Sequence, residues 1–251
     1  MNFEKGNKNV LLFGTRPIIE AINSGKEIDR VFIQNGLAGE NFQELKKLIH
    51  QCQIPFQYVP TEKLNRLTNK NHQGVLAYLS SVTYQNVENI LPSVFEKGKV
   101  PLVLILDRIT DVRNFGAIAR SAECAGADAI IIPSKGAAQI NGDAIKTSAG
   151  ALHKIPVCRS ENLKLTIDFL KNSGLQIVSC TEKSKSLYYE ADFSLPTAII
   201  VGSEEDGISE EYLKRSDTRI KIPLTGEIES LNVSVATGIV LFEAVKQRSG
   251  K

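Results

Sequence analysis

Residues 101–120 read PLVLILDRITDVRNFGAIAR. Leu102–Leu106 is apolar at every position, which suits a strand buried on both faces of a parallel sheet. Small and apolar residues then recur at helical spacing, so a helix is expected over Gly116–Ala125. A strand that feeds a helix directly is the start of a βαβ unit. Working outward, the strand pattern returns at Ala129–Ile132, Gln176–Ser179, Ala198–Val201 and Ile220–Ile222. Helical patterns stand between and after these runs, at Leu163–Asn172 and Glu210–Arg215. A last helix, Val233–Val245, contains a single charged residue, Glu243. It is expected to be nearly buried, in the core or against another subunit. The reading is α/β: an open, mostly parallel sheet with ligand loops at the C-terminal ends of its strands.

The N-terminal part has the same alternation on a smaller scale. Val10–Phe13, Val31–Ile33, Phe56–Val59 and Val75–Leu79 read as strands. Ile18–Asn23, Asn41–Gln51 and Thr61–Leu67 read as helices, giving a small α/β domain. The natural break is the polar stretch SSVTYQNVENILPSVFEKGKVP, in which Val87–Lys97 suits a short helix. The expected domains are 1–82 and 100–251, with a linker over 83–99. Residues 1–85 carry 10 basic and 7 acidic side chains, net +3, and the remainder carries 20 and 21, net −1. The first part therefore tolerates an acidic partner without demanding one.

The whole chain has 251 residues, 42% of them hydrophobic and 23% charged, which excludes disordered, collagenous and coiled-coil classes. No apolar run approaches the roughly 18 residues of a membrane helix, and MNFEKGNKNV is too polar for a signal peptide. Four cysteines, at 52, 124, 158 and 180, form no C-x-x-C pair. They are read as reduced, small buried hydrophobes in a cytoplasmic protein.

Three segments carry candidate chemistry. In the first, Asn114 is placed to cap the helix after Leu106, with Arg120 in that helix. A helix N-terminus at a strand end is an anion site, although a cap and an Arg120–Glu123 surface pair would account for the same residues. The second, IVGSEEDGI over 200–208, runs a buried strand into a loop with two glycines and three acids. It has neither a P-loop ending nor G-x-G-x-x-G, and an acidic helix start explains it equally well. In the third, Ser230, Asn232 and Ser234 open an otherwise apolar helix, where Ser230 or Asn232 suffices as a cap. His50, His72 and His153 show no metal-ligand spacing with each other or with cysteine.

Taken together, these segments closely resemble the three motifs of the SpoU (TrmH-type) RNA 2′-O-ribose methyltransferases. The first is DVRNFGAIARSAECAGAD, the second IIVGSEEDGIS, and the third IPLTGEIESLNVSVATGIVLFEAVKQR. The third is the most specific, because SLNVSVA running straight into an apolar helix is rarely seen elsewhere. NHQGVLA and the Gly14…Glu20-Ala21-Ile22 segment resemble the ribosomal-protein-like RNA-binding domain of the bacterial members that methylate a guanosine ribose in 23S ribosomal RNA. Many relatives have histidine near position 16, where this chain has Arg16-Pro17.

The resemblance implies a SPOUT-type fold with a C-terminal trefoil knot, a homodimer, and S-adenosylmethionine as methyl donor without a metal. It implies a donor pocket at Gly202, Ile222 and Leu231, joined by Thr181. Asn114, Arg120, Glu204, Ser230 and Asn232 would be the catalytic set, with Arg120 near the 2′-hydroxyl. A free guanidinium keeps its proton, so stabilisation of the alkoxide, or relay through an RNA phosphate, suits Arg120 better than acting alone as base. Arg16, Arg66, His72 and Gln73, read as lying on loops, would contact RNA. The favoured substrate is ribosomal RNA, with transfer RNA the alternative, because transfer-RNA members often lack the first domain. A catalytically inactive RNA-binding homologue is the competing class. The intact motif set argues against it. A Rossmann-type small-molecule enzyme would need a glycine-rich turn after Leu106, and Asp107-Arg108 offers none.

Overall fold

The computed structural model describes residues 11–249. Val10, expected to open the first strand, lies outside them. The chain folds as two compact units, one formed by the residues up to Thr83 with 140–142, the other by 84–139 with the residues from Asp143 onward.

The first unit runs β1 (Leu11–Phe13), α1 (Thr15–Asn23), β2 (Ile28–Gln34), α2 (Glu40–Gln51), β3 (Phe56–Val59), α3 (Thr61–Leu67) and β4 (Val75–Leu79). Its sheet has the order β1-β4-β2-β3, with β4 antiparallel to both neighbours and β2 parallel to β3. Ile18 of α1, Leu45 and Ile49 of α2, and Val31, Ile33 and Val75 of the sheet form one core. A second cluster, on Phe32, Val59, Leu64 and Leu76, seats α3.

The second unit begins with β5 (Tyr84–Gln85), α4 (Val87–Glu96), β6 (Leu102–Asp107), α5 (Val112–Cys124), β7 (Ala129–Pro133), α6 (Gly142–Thr147, in this unit from Asp143) and β8 (Val157–Ser160). It continues with α7 (Leu163–Asn172), β9 (Gln176–Cys180), β10 (Thr197–Gly202), α8 (Glu210–Leu213), β11 (Thr218–Ile220) and α9 (Val233–Ser249). Its seven strands have the order β11-β9-β10-β6-β7-β8-β5, and every pairing is parallel. The central strands β6 and β10 are buried along their whole length, as their uninterrupted apolar runs require. The sheet reverses order across β6 and β10, which leaves a crevice at their C-terminal ends.

Three expectations change. The stretch 83–99 is no linker, because β5 pairs with β8 and Val87 and Leu91 join the core of the second unit. β11 is Thr218–Ile220 rather than Ile220–Ile222, since its register aligns Thr218 with Val178 and Ile220 with Cys180. Within one chain helix α9 leaves Val235 51% and Phe242 50% exposed, so the core alone does not cover it, while its charged Glu243 is buried. Glu243 accepts hydrogen bonds from Lys246 and Gln247 one turn on. Cys52 and Cys124 are exposed, so neither serves as a buried hydrophobe.

Candidate active site

The loops that follow β9, β10 and β11, together with the start of α9, enclose a cavity of about 330 Å³. Thr181 enters it from the end of β9, Gly202 from β10, Ile222 from beyond β11, and Leu231 from the approach to α9. The structure thus brings together all four residues expected to hold a donor. Glu204, Ser230 and Asn232 line the same cavity. Its ionisable lining is otherwise Cys180, Glu182 and Glu229, with no lysine, arginine or histidine. Burial, with Glu182 nearby, pushes the Cys180 thiol up to about 11, so it stays protonated at neutral pH.

At the rim, three side chains from three elements form a hydrogen-bonded triangle. Asn114 Nδ2 donates to Glu204 Oε1 at 2.7 Å. Asn232 Nδ2 donates to the same oxygen at 3.0 Å and to Asn114 Oδ1 at 3.0 Å. The orientation of Asn232 follows from the helix beyond it. Its Oδ1 accepts the N–H groups of Ser234 and Val235 at 2.9 and 3.4 Å, so it caps α9. With the oxygen held there, the amide nitrogen must face Glu204. Asn114 does not cap α5; Asp111 does, accepting the Asn114 N–H at 2.8 Å. Asn114 is therefore in the first turn, with its side chain left for the site.

Gly202 allows the loop after β10 to fold back. A Cβ there would lie 2.1 Å from the Gly207 carbonyl carbon and 2.3 Å from the Ile208 nitrogen, so any side chain forces the backbone apart. A second cavity of about 270 Å³ shares Glu204 and Val233 with the first and adds Arg108, Asp111, Asn114 and Asp206.

Arg120 is exposed and lines neither cavity. Six residues beyond Asn114, it is about 9 Å further along α5 and about 240° round it. The alternative pairing with Glu123 is absent, since Glu123 faces Lys154 at 3.7 Å. Among the described residues no group of three or more His, Cys, Asp and Glu is arranged to hold a metal.

In the first unit, Arg16 and Arg66 are exposed but stand on helices, in the first turn of α1 and the last of α3, rather than on loops. Gln73 is exposed in the turn before β4, at φ +48°. His72 is buried. Its Nδ1 accepts the Gly74 N–H at 3.0 Å, so its Nε2 carries the proton and donates to Asn65 Oδ1 at 2.9 Å. The ring closes the turn, and both nitrogens are engaged.

Sequence reasoning did not find Cys180, Glu182, Leu224 and Glu229 in the cavity lining, although the first two flank Thr181 and the others stand inside the third motif. Nor did it find Arg108, whose role depends on a backbone angle.

Residues 101–242 match the SpoU rRNA Methylase family, and residues 11–85 match the RNA 2′-O ribose methyltransferase substrate binding family. The chain belongs to the SpoU methylase family. A Staphylococcus aureus protein named for the TrmH family of tRNA/rRNA methyltransferases is 36% identical over 244 residues, 96% of this chain and 97% of its own. YacO of Bacillus subtilis, named for the same family, is 31% identical over 238 residues, 95% of this chain and 96% of its own. Among solved structures, an RNA 2′-O ribose methyltransferase is 26% identical with a TM-score of 0.57, over 97% of this chain and 90% of its own. The SpoU methyltransferase AviRb from Streptomyces viridochromogenes, solved with AdoMet, shares the fold at a TM-score of 0.62 and 23% identity, over 97% of this chain and 92% of its own.

Proposed function

We propose that this protein transfers a methyl group from S-adenosylmethionine to a ribose 2′-hydroxyl of RNA, with a guanosine of 23S ribosomal RNA the favoured acceptor. The observation that carries this reading is the Asn114–Glu204–Asn232 triangle, set on the rim of a cavity lined by Thr181, Gly202, Ile222 and Leu231. The lining fits the donor. Its apolar wall suits an adenine face, and its three carboxylates without a cation suit a ligand bearing a sulfonium and an ammonium group.

The donor supplies an electrophilic methyl; the chain supplies placement and charge. Two amide donors converge on Glu204 Oε1, which holds the carboxylate in place. Its second oxygen is left to accept from a ribose hydroxyl and to orient it. Ser230 offers a further hydroxyl at the same rim. A 2′-hydroxyl is a weak acid whose proton must leave as the methyl arrives, and holding both reactants in line is the larger part of the demand. Arg120 is the cation that would stabilise the forming alkoxide. From its face of α5 it meets the reaction only where RNA or a second chain bridges the gap. The homodimer expected from the family supplies such a chain, and the exposed Val235 and Phe242 of α9 support an interface there. The trefoil knot and a cytoplasmic location belong to the same reading.

Arg16, Arg66 and Gln73 are the exposed polar groups proposed to hold RNA; the His72 ring acts by fixing the turn that carries Gln73. The first unit's family match supports ribosomal or transfer RNA alike, and its net charge of +3 is compatible with an RNA role. The test is to map 2′-O-methyls on total RNA with and without the gene, and to repeat the transfer with purified protein and labelled donor. One methyl lost from ribosomal RNA names the substrate. One lost from transfer RNA overturns the ribosomal assignment, and no transfer to either overturns the activity.

A further inference from the structure

Arg108 directs both terminal nitrogens of its guanidinium at the loop that carries Glu204, from a strained backbone. It follows β6 at φ +59°, in the left-handed region that disfavours residues with a Cβ. Such strain persists only where surrounding contacts hold it, and it gathers at functional sites. Arg108 Nε donates to Asp107 Oδ1 at 3.2 Å, one terminal nitrogen to Asp206 Oδ2 at 2.9 Å, and the other to the Gly207 carbonyl at 3.2 Å. Asp107 is only 2% exposed. Its other oxygen accepts both the N–H and the hydroxyl of Ser209, each at 2.7 Å. The end of β6 thus grips the chain on both sides of Gly207.

The gripped loop is closed on itself. Ser203 N–H donates to the Gly207 carbonyl at 3.2 Å, Gly207 N–H returns to the Ser203 carbonyl at 3.0 Å, and Asp206 N–H meets Ser203 Oγ at 3.1 Å. A loop closed in this way shifts as one piece. Glu204 stands at one end, tied to Asn114 and Asn232; Asp206 and Gly207 stand at the other, tied to Arg108. Glu204 and Gly207 both face the larger cavity. A partly exposed ion pair contributes little to stability by itself, so stability alone is a poor reason to hold a non-glycine residue at this angle.

We propose that Arg108 is a positioning residue for the transfer reaction. By clamping residues 203–207 it sets where the Glu204 carboxylate stands against donor and ribose. This rests on the methyl-transfer reading above. Glycine is at ease at φ +59°, so Arg108→Gly removes the clamp while relieving the strain.

The full-length protein is compared with Arg108→Gly, Arg108→Lys, Asp206→Ala and the Arg108→Gly/Asp206→Ala double variant. Thermal midpoint, donor affinity by calorimetry, and transfer at saturating donor to RNA from cells lacking the gene are measured. Arg108→Gly is expected to melt no lower than wild type yet lose at least fivefold in turnover. Arg108→Lys, which keeps the charge for Asp206, regains part of that loss. Asp206→Ala leaves the backbone at 108 untouched; it should lose less than Arg108→Gly and add little to it in the double variant, because both act through one contact. Arg108→Gly turnover within fivefold of wild type in a normally folded protein overturns the clamp, as do fully multiplicative losses in the double variant. Wild-type protein that transfers no methyl overturns the parent reading instead.

Discussion

Asn232 and Glu204, 28 residues apart, are joined by a 3.0 Å hydrogen bond from Nδ2 to Oε1, and the same Asn232 side chain caps α9 through its oxygen. Cap and site are therefore separable by substitution. Asn232→Ser keeps a capping oxygen and loses the amide donor. It should melt within a few degrees of wild type, because exchanges among good caps cost a few tenths of a kcal/mol. Transfer should fall about a hundredfold, the usual scale for losing placement at a reacting centre. Parallel thermal scans and turnover assays check both. Equal turnover would remove Asn232 from the site.

Arg120→Ala should abolish nearly all transfer and leave the melting temperature and donor affinity unchanged. The side chain is exposed and lines neither cavity, so nothing in the fold leans on it. Turnover above about a tenth of wild type would mean under ~1.4 kcal/mol of transition-state stabilisation and would end its catalytic assignment.

Removing a phosphate contact flattens the salt dependence of RNA binding by about 0.7–0.9 in log–log slope. Arg16→Ala and Arg66→Ala should each do so, with donor affinity and melting temperature intact. His72→Ala should instead lower the stability of the first unit, because its ring closes the turn before β4. Binding titrations across a range of salt concentrations separate the two behaviours. Unchanged slopes would move RNA recognition away from α1 and α3.

The cysteines give a chemical signature. Burial raises the thiols of Cys158 and Cys180 from the ordinary 9.0 to about 12 and about 11, while Cys52 and Cys124 are exposed. Iodoacetamide at pH 8 should label Cys52 and Cys124 and spare the other two, read by peptide mass spectrometry. Because the folded values are the raised ones, their stabilising contribution is intact below pH 9 and is lost as pH rises towards 12. Urea midpoints should fall across that window. Early labelling of Cys158 would contradict its burial.

Arg248 holds the far end of α9. It donates to the carbonyls of Phe193, Val100, Pro101 and Leu195 at 2.8–3.0 Å, tying the helix to the chain just before β6 and β10. Arg248→Ala should destabilise the protein by on the order of 3 kcal/mol, through charged hydrogen bonds lost and carbonyls left unmatched. A urea midpoint shift under about 1 kcal/mol would refute the clasp.

Much of this is legible in the residues. The limits of β3, α3, β4 and α7 follow directly from apolar runs and helical spacing. The strand Val157–Ser160 leaves no such signal, because Arg159 and Ser160 interrupt its pattern at the margin of the sheet. Ile222 belongs to the cavity wall rather than to β11, a matter of register with β9 that no local propensity sets. Motif spacing brings Glu204 and Asn232 forward, but Asp111 takes the cap expected of Asn114, since two acceptable caps stand three residues apart. Arg108 leaves no trace in composition or period, because a positive φ at a non-glycine residue is a tertiary outcome.

The order of the larger sheet also has a consequence in time. Leu102 of β6 pairs with Thr197 of β10, so the first central strand to leave the ribosome lacks its second neighbour until 95 more residues have been made. At about 5–20 residues per second, that is roughly 5–20 s with an apolar edge open. Over that interval the nascent chain presents a strand template to any passing polypeptide, and synthesis speed across residues 107–197 governs how much of this protein reaches its native form.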